Sequence, residues 1–294
     1  MIKGIFAPIP TPFRNDQIDY GRLEENLSRW AETRLSGLVV LGSNGEFVYL
    51  TQKEKVKLVA AVREMFPSDR PVIAGTGCET TRETVELTKK CAEVGADAAL
   101  ILTPHYFGGS MTAAVLKRFF ISVAEASPIP IMLYNMPKNT GINMASSLVV
   151  ELSEHPNIAG IKDSSGNIVQ ISEICKDTPD DFAVFAGSGS FLLPSLVMGA
   201  SGGTLAVANI MANTCVEIFE SYANGQLARA RELQRRVLGP NAAVTSRFSI
   251  PGLKAALDMI GYYGGPPRPP LEPLPEEDQG ALREILTTAG LLPG

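Results

Sequence analysis

Short, mostly apolar runs recur along the chain, and each is followed by a turn and then by a segment with helical spacing of apolar residues. The runs are continuously apolar rather than alternating, which is typical of parallel strands buried on both faces. Eight of them occur: KGIFAPI (3–9), GLVVLGS (37–43), PVIAGTG (71–77), AALILTP (98–104), PIMLYN (130–135), IAGIKDS (158–164), FAVFAGS (182–188) and GTLAVAN (203–209). Eight strand–helix units predict an α/β fold, a (β/α)8 TIM barrel over residues 1–223.

Two of the predicted helices have marked starts. TQKE at 51–54 and TTRE at 80–83 each place a threonine three residues before a glutamate, which is the pattern of a capping box. After the first box, apolar residues recur at helical spacing: Leu58, Val59, Val62, Met65 and Phe66.

The strand signals stop near residue 223. Three helical stretches follow, LARARELQRRVL (227–238), GLKAALDMIGYY (252–263) and EEDQGALREIL (276–286), and they predict a C-terminal helical domain over residues 224–294. Between the last two lies PPRPPLEPLP (266–275). We interpret it as a stiff connector that wraps the surface, with a ligand for SH3-type domains as the alternative.

Composition and charge narrow the class of protein. The chain has 294 residues, is 45% hydrophobic and 19% charged, and carries a net charge of −5 with scattered cations, so we expect neither a nucleic-acid nor a membrane partner. The N-terminus lacks the apolar core of a signal peptide, which predicts a cytoplasmic location. Four separated cysteines predict reduced thiols, and two histidines are too few to suggest a zinc site or another metal site.

In a barrel of this kind, chemistry lies at the carboxyl ends of the strands. The chain places there Thr11, Ser43, Asn44, Thr103, Tyr106, Tyr134, Lys162, Ser164, the glycine-rich turn 187–189 and Asn209. This ring offers an ammonium, two phenols and several hydroxyls. It contains no histidine base and no set of metal ligands.

Lys162 is the unusual member, because it ends an apolar run in which an ammonium is costly to desolvate. A mostly apolar barrel mouth favours the neutral amine, which can attack a carbonyl and form a Schiff base. Tyr134 and Tyr106 then relay protons through Ser43. Taken singly, the residues have plainer interpretations: Lys162 as a solvated lysine paired with Asp163, and Tyr134 as a core tyrosine.

Four motifs carry a resemblance to a known family. PTPF, GSNGE, YNMPKNTG and GIKDSSGN occur in this order, and the chain resembles the dihydrodipicolinate synthase/N-acetylneuraminate lyase family of pyruvate-dependent class I aldolases over its whole length. The resemblance implies that Lys162 is the Schiff-base lysine and Tyr134 the general acid/base. It also implies that Ser43 and Asn44 bind the pyruvate carboxylate. Tyr106 resembles a relay tyrosine contributed across a subunit interface, which implies a homo-oligomer, a dimer or a dimer-of-dimers tetramer.

The departures from the family pattern bear on the substrate. Lysine-pathway synthases of the family usually carry two threonines where this chain has Ser43 and Asn44, and an arginine where it has Asn139. The chain is more similar to the 4-hydroxy-2-oxoglutarate aldolase branch, in which Ser164 would lie near the distal carboxylate. Asn139, Gly187 and Leu205 complete the expected substrate-binding set, and no cofactor is expected.

The leading hypothesis is a lyase that splits 4-hydroxy-2-oxoglutarate into pyruvate and glyoxylate. Within the same chemistry, the alternatives are a 4-hydroxy-tetrahydrodipicolinate synthase and an aldolase for 2-keto-3-deoxy sugar acids. Two further classes are a phosphate-binding barrel isomerase, suggested by GSGS at 187–190, and a non-catalytic binding protein that kept the barrel. The glycines of GASGGT precede the eighth strand and so lie at the wrong end for a phosphate site.

Overall fold

The computed structural model describes residues 2–293. Eight parallel strands close into a barrel, each paired with the strands before and after it, and β1 paired with β8. They are β1 (Gly4–Pro8), β2 (Gly37–Val40), β3 (Val72–Gly75), β4 (Ala98–Leu102), β5 (Ile131–Asn135), β6 (Ile158–Asp163), β7 (Ala183–Ala186) and β8 (Gly202–Thr204). The predicted TIM barrel is confirmed.

Helices follow the strands and cover the outside of the barrel. They are α1 (Tyr20–Ala31), α2 (Gln52–Met65), α3 (Thr81–Glu93), α4 (Ala113–Ala126), the single turn α5 (Pro137–Thr140), α6 (Ser146–Ser153), α7 (Ile168–Asp177), α8 (Leu192–Val197) and α9 (Ala212–Ala223). Three more helices form the C-terminal extension: α10 (Leu227–Ala242), α11 (Ser249–Met259) and α12 (Glu276–Thr288). A short hairpin, Phe13–Arg14 with Gln17–Ile18, follows β1.

The barrel is filled by inward-facing apolar side chains, among them Phe6 and Phe185, whose rings lie 5.5 Å apart. Tyr134 belongs to the same interior cluster. The strand register pairs Tyr134 with Lys162, and Lys162 with Phe185. Since directly paired residues of neighbouring strands face the same side of a sheet, this register brings Tyr134 and Lys162 together at the barrel mouth.

The first predicted capping box is complete, because Thr51 and Glu54 exchange both bonds at the start of α2. The second is only half formed. The Thr80 hydroxyl accepts from the backbone N–H of Glu83, but the Glu83 carboxylate bonds to the Thr80 hydroxyl instead of reaching back to the backbone. The threonine alone is therefore the cap of α3.

The eighth strand is shorter than the predicted run 203–209. It covers only Gly202–Thr204, and residues Ala206–Asn209 form a 3₁₀ turn. A Cβ at Gly202 would lie 1.9 Å from the Gly4 carbonyl oxygen, so the close pairing with β1 needs a glycine here. The sequence remains apolar past the end of the strand because the 3₁₀ turn is itself buried. An apolar pattern alone does not distinguish such a turn from a strand.

The C-terminal extension packs on the barrel, and its apolar residues Leu233, Val237 and Leu253 share one buried cluster with barrel residues. A π-helical turn, Ala243–Arg247, joins α10 to α11. The proline-rich segment 266–275 is anchored by Arg268, which binds Glu54 and Asp16. These contacts fit the interpretation of this segment as a surface-wrapping connector.

None of the helices within residues 2–293 combines the length and the apolar character needed to cross a bilayer. The four cysteines are free thiols, of which Cys91 and Cys215 are buried.

Candidate active site

A cavity of about 720 Å³ opens at the carboxyl end of the barrel strands. Most of the predicted site residues line it: Ser43, Asn44, Tyr134, Asn139, Lys162, Ser164 and Gly187. Tyr106 and Leu205 do not. The barrel thus gathers these residues from four separate stretches of sequence, 43–44, 134–139, 162–164 and 187, around one space.

Lys162 lies in β6, one residue before the strand ends, and its side chain is only 4% exposed. Its Nζ lies 4.1 Å from the centroid of the Tyr134 ring. Among residues 2–293 no carboxylate lies within ion-pairing distance of this nitrogen. A buried amine without a counter-ion, open to a cavity, has the environment that a Schiff-base nucleophile requires.

Asp163 is not the partner of Lys162, so the solvated ion-pair interpretation is wrong. Neighbouring residues of a strand point to opposite faces, and the Asp163 carboxylate points away from the barrel interior. It accepts hydrogen bonds from Asn135 Nδ2 at 2.8 Å, from Gln170 Nε2 at 3.0 Å and from the backbone N–H of Ser165 at 2.8 Å. Asp163 therefore fixes the end of β6 from outside the cavity.

Tyr134 is almost fully buried, and its hydroxyl lies 3.4 Å from the Ser43 hydroxyl. Burial on its own would raise the pKa of this phenol, but the nearby Lys162 charge and the Ser43 hydroxyl outweigh it, so the pKa lies below its ordinary value. A phenol with a lowered pKa gives up its proton more readily. This property suits a general acid/base that works near neutral pH.

Ser43 and Asn44 belong to a 3₁₀ turn, Ser43–Gly45, that follows β2. Two non-glycine residues with left-handed backbone flank it, Leu41 at φ 62° and Glu46 at φ 55°. Each such conformation costs about 1–3 kcal/mol and persists only where its surroundings hold it. The turn is thus a strained and firmly held part of the cavity wall.

Ser164 presents a buried hydroxyl that has no hydrogen-bond partner within the described chain. Burying such a group without a partner costs free energy, which a polar ligand in the cavity would offset by accepting or donating a hydrogen bond. Gly187 makes room for it, because a Cβ at this position would lie 1.9 Å from Ser164 Oγ. The two residues therefore form one unit of the cavity wall.

Tyr106 is a surface residue in this chain, 79% exposed, next to the equally prominent Phe107. Its backbone N–H donates to Glu79 at 2.9 Å, which fixes the loop but leaves the phenol in the open. Within one chain, the Tyr106 hydroxyl does not reach Ser43. A proton relay that runs from Tyr106 through Ser43 is therefore not formed within a single subunit.

Leu205 is completely buried behind the cavity, and its neighbours Thr204 and Ala206 form the wall instead. Two other residues predicted at the strand ends, Thr11 and Asn209, donate hydrogen bonds to backbone carbonyls and do not line the cavity. Thr11 Oγ1 donates to the Gly45 carbonyl at 2.7 Å, and Asn209 Nδ2 donates to the Pro8 carbonyl at 3.0 Å.

The C-terminal extension supplies cavity residues to which the sequence analysis assigned no role. They are Leu238, Asn241, Ala242, Val244, Thr245, Ser246, Ser249 and Ile250, from α10, the π-helical turn and α11. Asn241 also holds the loop after β7, accepting from the Gly189 N–H at 3.0 Å. The signal in the sequence was the polar stretch TSRFS (245–249), placed between two apolar helical patterns.

Residues 1–289 match the sequence profile of the dihydrodipicolinate synthetase family. A 4-hydroxy-tetrahydrodipicolinate synthase of Methanothrix thermoacetophila is 39% identical over 100% of this chain and 99% of its own. A probable mitochondrial 4-hydroxy-2-oxoglutarate aldolase of Emericella nidulans is 35% identical over 98% of this chain and 94% of its own.

Solved structures agree with these relatives. The dihydrodipicolinate synthase of Acinetobacter baumannii, determined in complex with pyruvate, superposes with a TM-score of 0.95 at 30% identity, over 99% of this chain and 100% of that one. The matches cover the barrel together with the C-terminal extension. The chain therefore belongs to the dihydrodipicolinate synthetase family, and it is an aldolase-type enzyme that makes or breaks carbon–carbon bonds.

Proposed function

We propose that this protein is a Schiff-base aldolase that cleaves 4-hydroxy-2-oxoglutarate into pyruvate and glyoxylate, with Lys162 as the covalent amine. The observation that best supports the covalent step is the buried Lys162 amine, which has no counter-ion among the described residues and opens to the cavity. The pyruvate complex of the Acinetobacter baumannii synthase supports pyruvate as one product.

The chemistry follows from the iminium that Lys162 would form. The amine adds to the C2 carbonyl of the substrate and water leaves. Tyr134 takes the proton of the 4-hydroxyl, the C3–C4 bond breaks, and its electron pair enters the iminium to give an enamine while glyoxylate departs. Protonation at C3 and addition of water then release pyruvate and restore the amine.

Two parts of the wall are suited to the two carboxylates of this substrate. Ser43 and Asn44 offer a hydroxyl and an amide to the carboxylate next to the keto group. The unpaired hydroxyl of Ser164 lies in the same cavity as Lys162 and offers a neutral donor to the distal carboxylate. A donor so near the Schiff base fits a short partner such as glyoxylate.

The second candidate is the synthase reaction, in which pyruvate condenses with aspartate semialdehyde, and the name of the Methanothrix relative favours it. That reaction needs a site for the carboxylate of the semialdehyde. Asn139, which lines the cavity, stands where lysine-pathway synthases usually have an arginine, and an amide is a poorer carboxylate partner than a bidentate guanidinium. Lys138 also lines the cavity, and this neighbouring cation could compensate.

The proton relay would be completed by a second copy of the chain. Tyr106 and Phe107 project from the surface with their rings 5.0 Å apart. We propose that in a dimer, or in a tetramer of two dimers, Tyr106 of one subunit reaches the Ser43–Tyr134 pair of the other.

The substrate assignment is tested by two values of kcat/KM on the purified protein. We expect cleavage of 4-hydroxy-2-oxoglutarate to be more efficient than condensation of pyruvate with aspartate semialdehyde. Asn139→Arg should move the ratio toward condensation, whereas Asn139→Gln, the matched control, should not. A wild-type enzyme that prefers the semialdehyde would contradict the substrate assignment and leave the lysine chemistry intact.

A further inference from the structure

Behind the turn that carries Ser43 and Asn44 lies an ion pair that the proposed mechanism does not use. Glu46 Oε1 lies 2.7 Å from Lys254 Nζ, and the two side chains are 0% and 1% exposed. Lys254 belongs to α11 of the C-terminal extension, whereas Glu46 ends the turn after β2. The pair therefore joins the extension directly to the turn.

Both groups make further polar contacts. The Lys254 ammonium donates to the carbonyls of Thr11 and Pro266, each at 2.9 Å, in addition to its ion pair with Glu46 Oε1. The second oxygen of Glu46 accepts the backbone N–H of Arg268 at 2.7 Å. Two further segments, the stretch after β1 at Thr11 and the proline-rich segment at Pro266 and Arg268, thus converge on one carboxylate and one ammonium.

Stability alone is a weak reason for such a pair. Removing two charges from water costs free energy that their attraction offsets only in good geometry, and buried pairs are better attested as devices that select one arrangement. Burial lowers the pKa of Lys254, and the Glu46 carboxylate opposes that shift, so the ammonium depends on this partner. Glu46 itself has the left-handed φ of 55° that its surroundings must hold.

We propose that Glu46 and Lys254 are positioning residues that hold Ser43 and Asn44 in the geometry that binds the carboxylate of pyruvate. The inference rests on the proposed function only in taking pyruvate as a ligand of this site. Neither residue lines the cavity, so each acts through the turn. Because Ser43 also lies 3.4 Å from the Tyr134 hydroxyl, a shift of the turn reaches proton transfer as well.

The test uses Lys254→Met and the double variant Glu46→Gln with Lys254→Met, studied by borohydride trapping of the pyruvate adduct. Lys254→Met leaves an unpaired buried carboxylate and should lower the melting temperature, whereas the double variant removes both charges and should be the more stable of the two. The pyruvate concentration for half-maximal trapping should rise by about tenfold to a hundredfold in the double variant, because a displaced binding group loses its alignment.

Arg229→Met is the matched control. Arg229 also belongs to the extension, but it pairs with Glu217 and Glu232 on the surface, and its loss should leave both the melting temperature and the pyruvate dependence near wild type.

A folded double variant with wild-type pyruvate dependence would overturn this inference while the proposed function stands. A wild-type protein that forms no pyruvate adduct would overturn the proposed function and the inference together. A raised half-maximal concentration in the double variant, with the control unchanged, supports the positioning role.

Discussion

Lys162 and Lys254 are both almost fully buried, yet their surroundings differ completely. Lys254 lies against a carboxylate and two carbonyl oxygens that engage its ammonium, whereas the Lys162 nitrogen lies over the face of Tyr134 and opens to the cavity. A nucleophilic amine must be able to reach a carbonyl carbon, and of these two lysines only Lys162 opens to the cavity. At the scale of single residues, the contacts of the two lysines therefore support different proposed roles.

The hydroxyl of Tyr134 is predicted to move protons. Tyr134→Phe keeps the ring that faces Lys162 and removes only this hydroxyl, so kcat should fall by about 10²–10⁴-fold while the KM for substrate changes little. Steady-state kinetics on wild type and variant measure both constants. Near-normal kcat would show that Tyr134 is a packing residue.

At the scale of elements, the proline-rich segment 266–275 ties the extension to the barrel through Arg268. Its guanidinium lies 2.7 Å from Glu54, in the first turn of α2, and 3.0 Å from Asp16 in the hairpin after β1. The hydrogen bond from Arg268, which outweighs the effect of burial, lowers the pKa of Glu54 from 4.5 to about 2. The segment therefore holds two elements next to the turn that carries Ser43 and Asn44.

Arg268→Met should lower the free energy of unfolding at pH 7 by about 2 kcal/mol, because charged hydrogen bonds are lost. A carboxyl with a depressed pKa in the folded state stabilises that state above its unfolded pKa, and the benefit disappears as the pH falls through the folded value. The difference between wild type and variant should therefore shrink as the pH falls from 4.5 to about 2. Urea denaturation at stepped pH measures it, and a difference that stays constant down to pH 2 would rule out Glu54 as its source.

The barrel and most of its mouth could be predicted from sequence because both depend on local pattern. Continuous apolar runs specify buried parallel strands, and the strand ends of one barrel must meet, which placed Ser43, Tyr134 and Lys162 together. The end of β8 was not predictable, since a buried 3₁₀ turn has the same apolar pattern as a strand. The ion pair between Glu46 and Lys254 could not be predicted from the sequence either, because contacts between residues so far apart in the chain leave no periodic pattern.

At the scale of the whole molecule, the proposed proton relay needs a second copy of the chain. The C-terminal extension closes the cavity from one side through α10, the π-helical turn and α11. Tyr106 is exposed and does not line the cavity of its own chain. The proposed relay would explain this exposure, because it places Tyr106 at the site of a second subunit. The division at residue 223 and the subunit number stay predictions.

The central claim is that Lys162 forms a Schiff base with pyruvate. The most direct measurement is to incubate the protein with pyruvate and borohydride and then to map the reduced adduct by peptide mass spectrometry. The account predicts one adduct per chain, located on Lys162 and absent from Lys162→Arg, whose guanidinium does not deprotonate to a nucleophile. An adduct on Lys138, the other lysine that lines the cavity, or no adduct at all would contradict it.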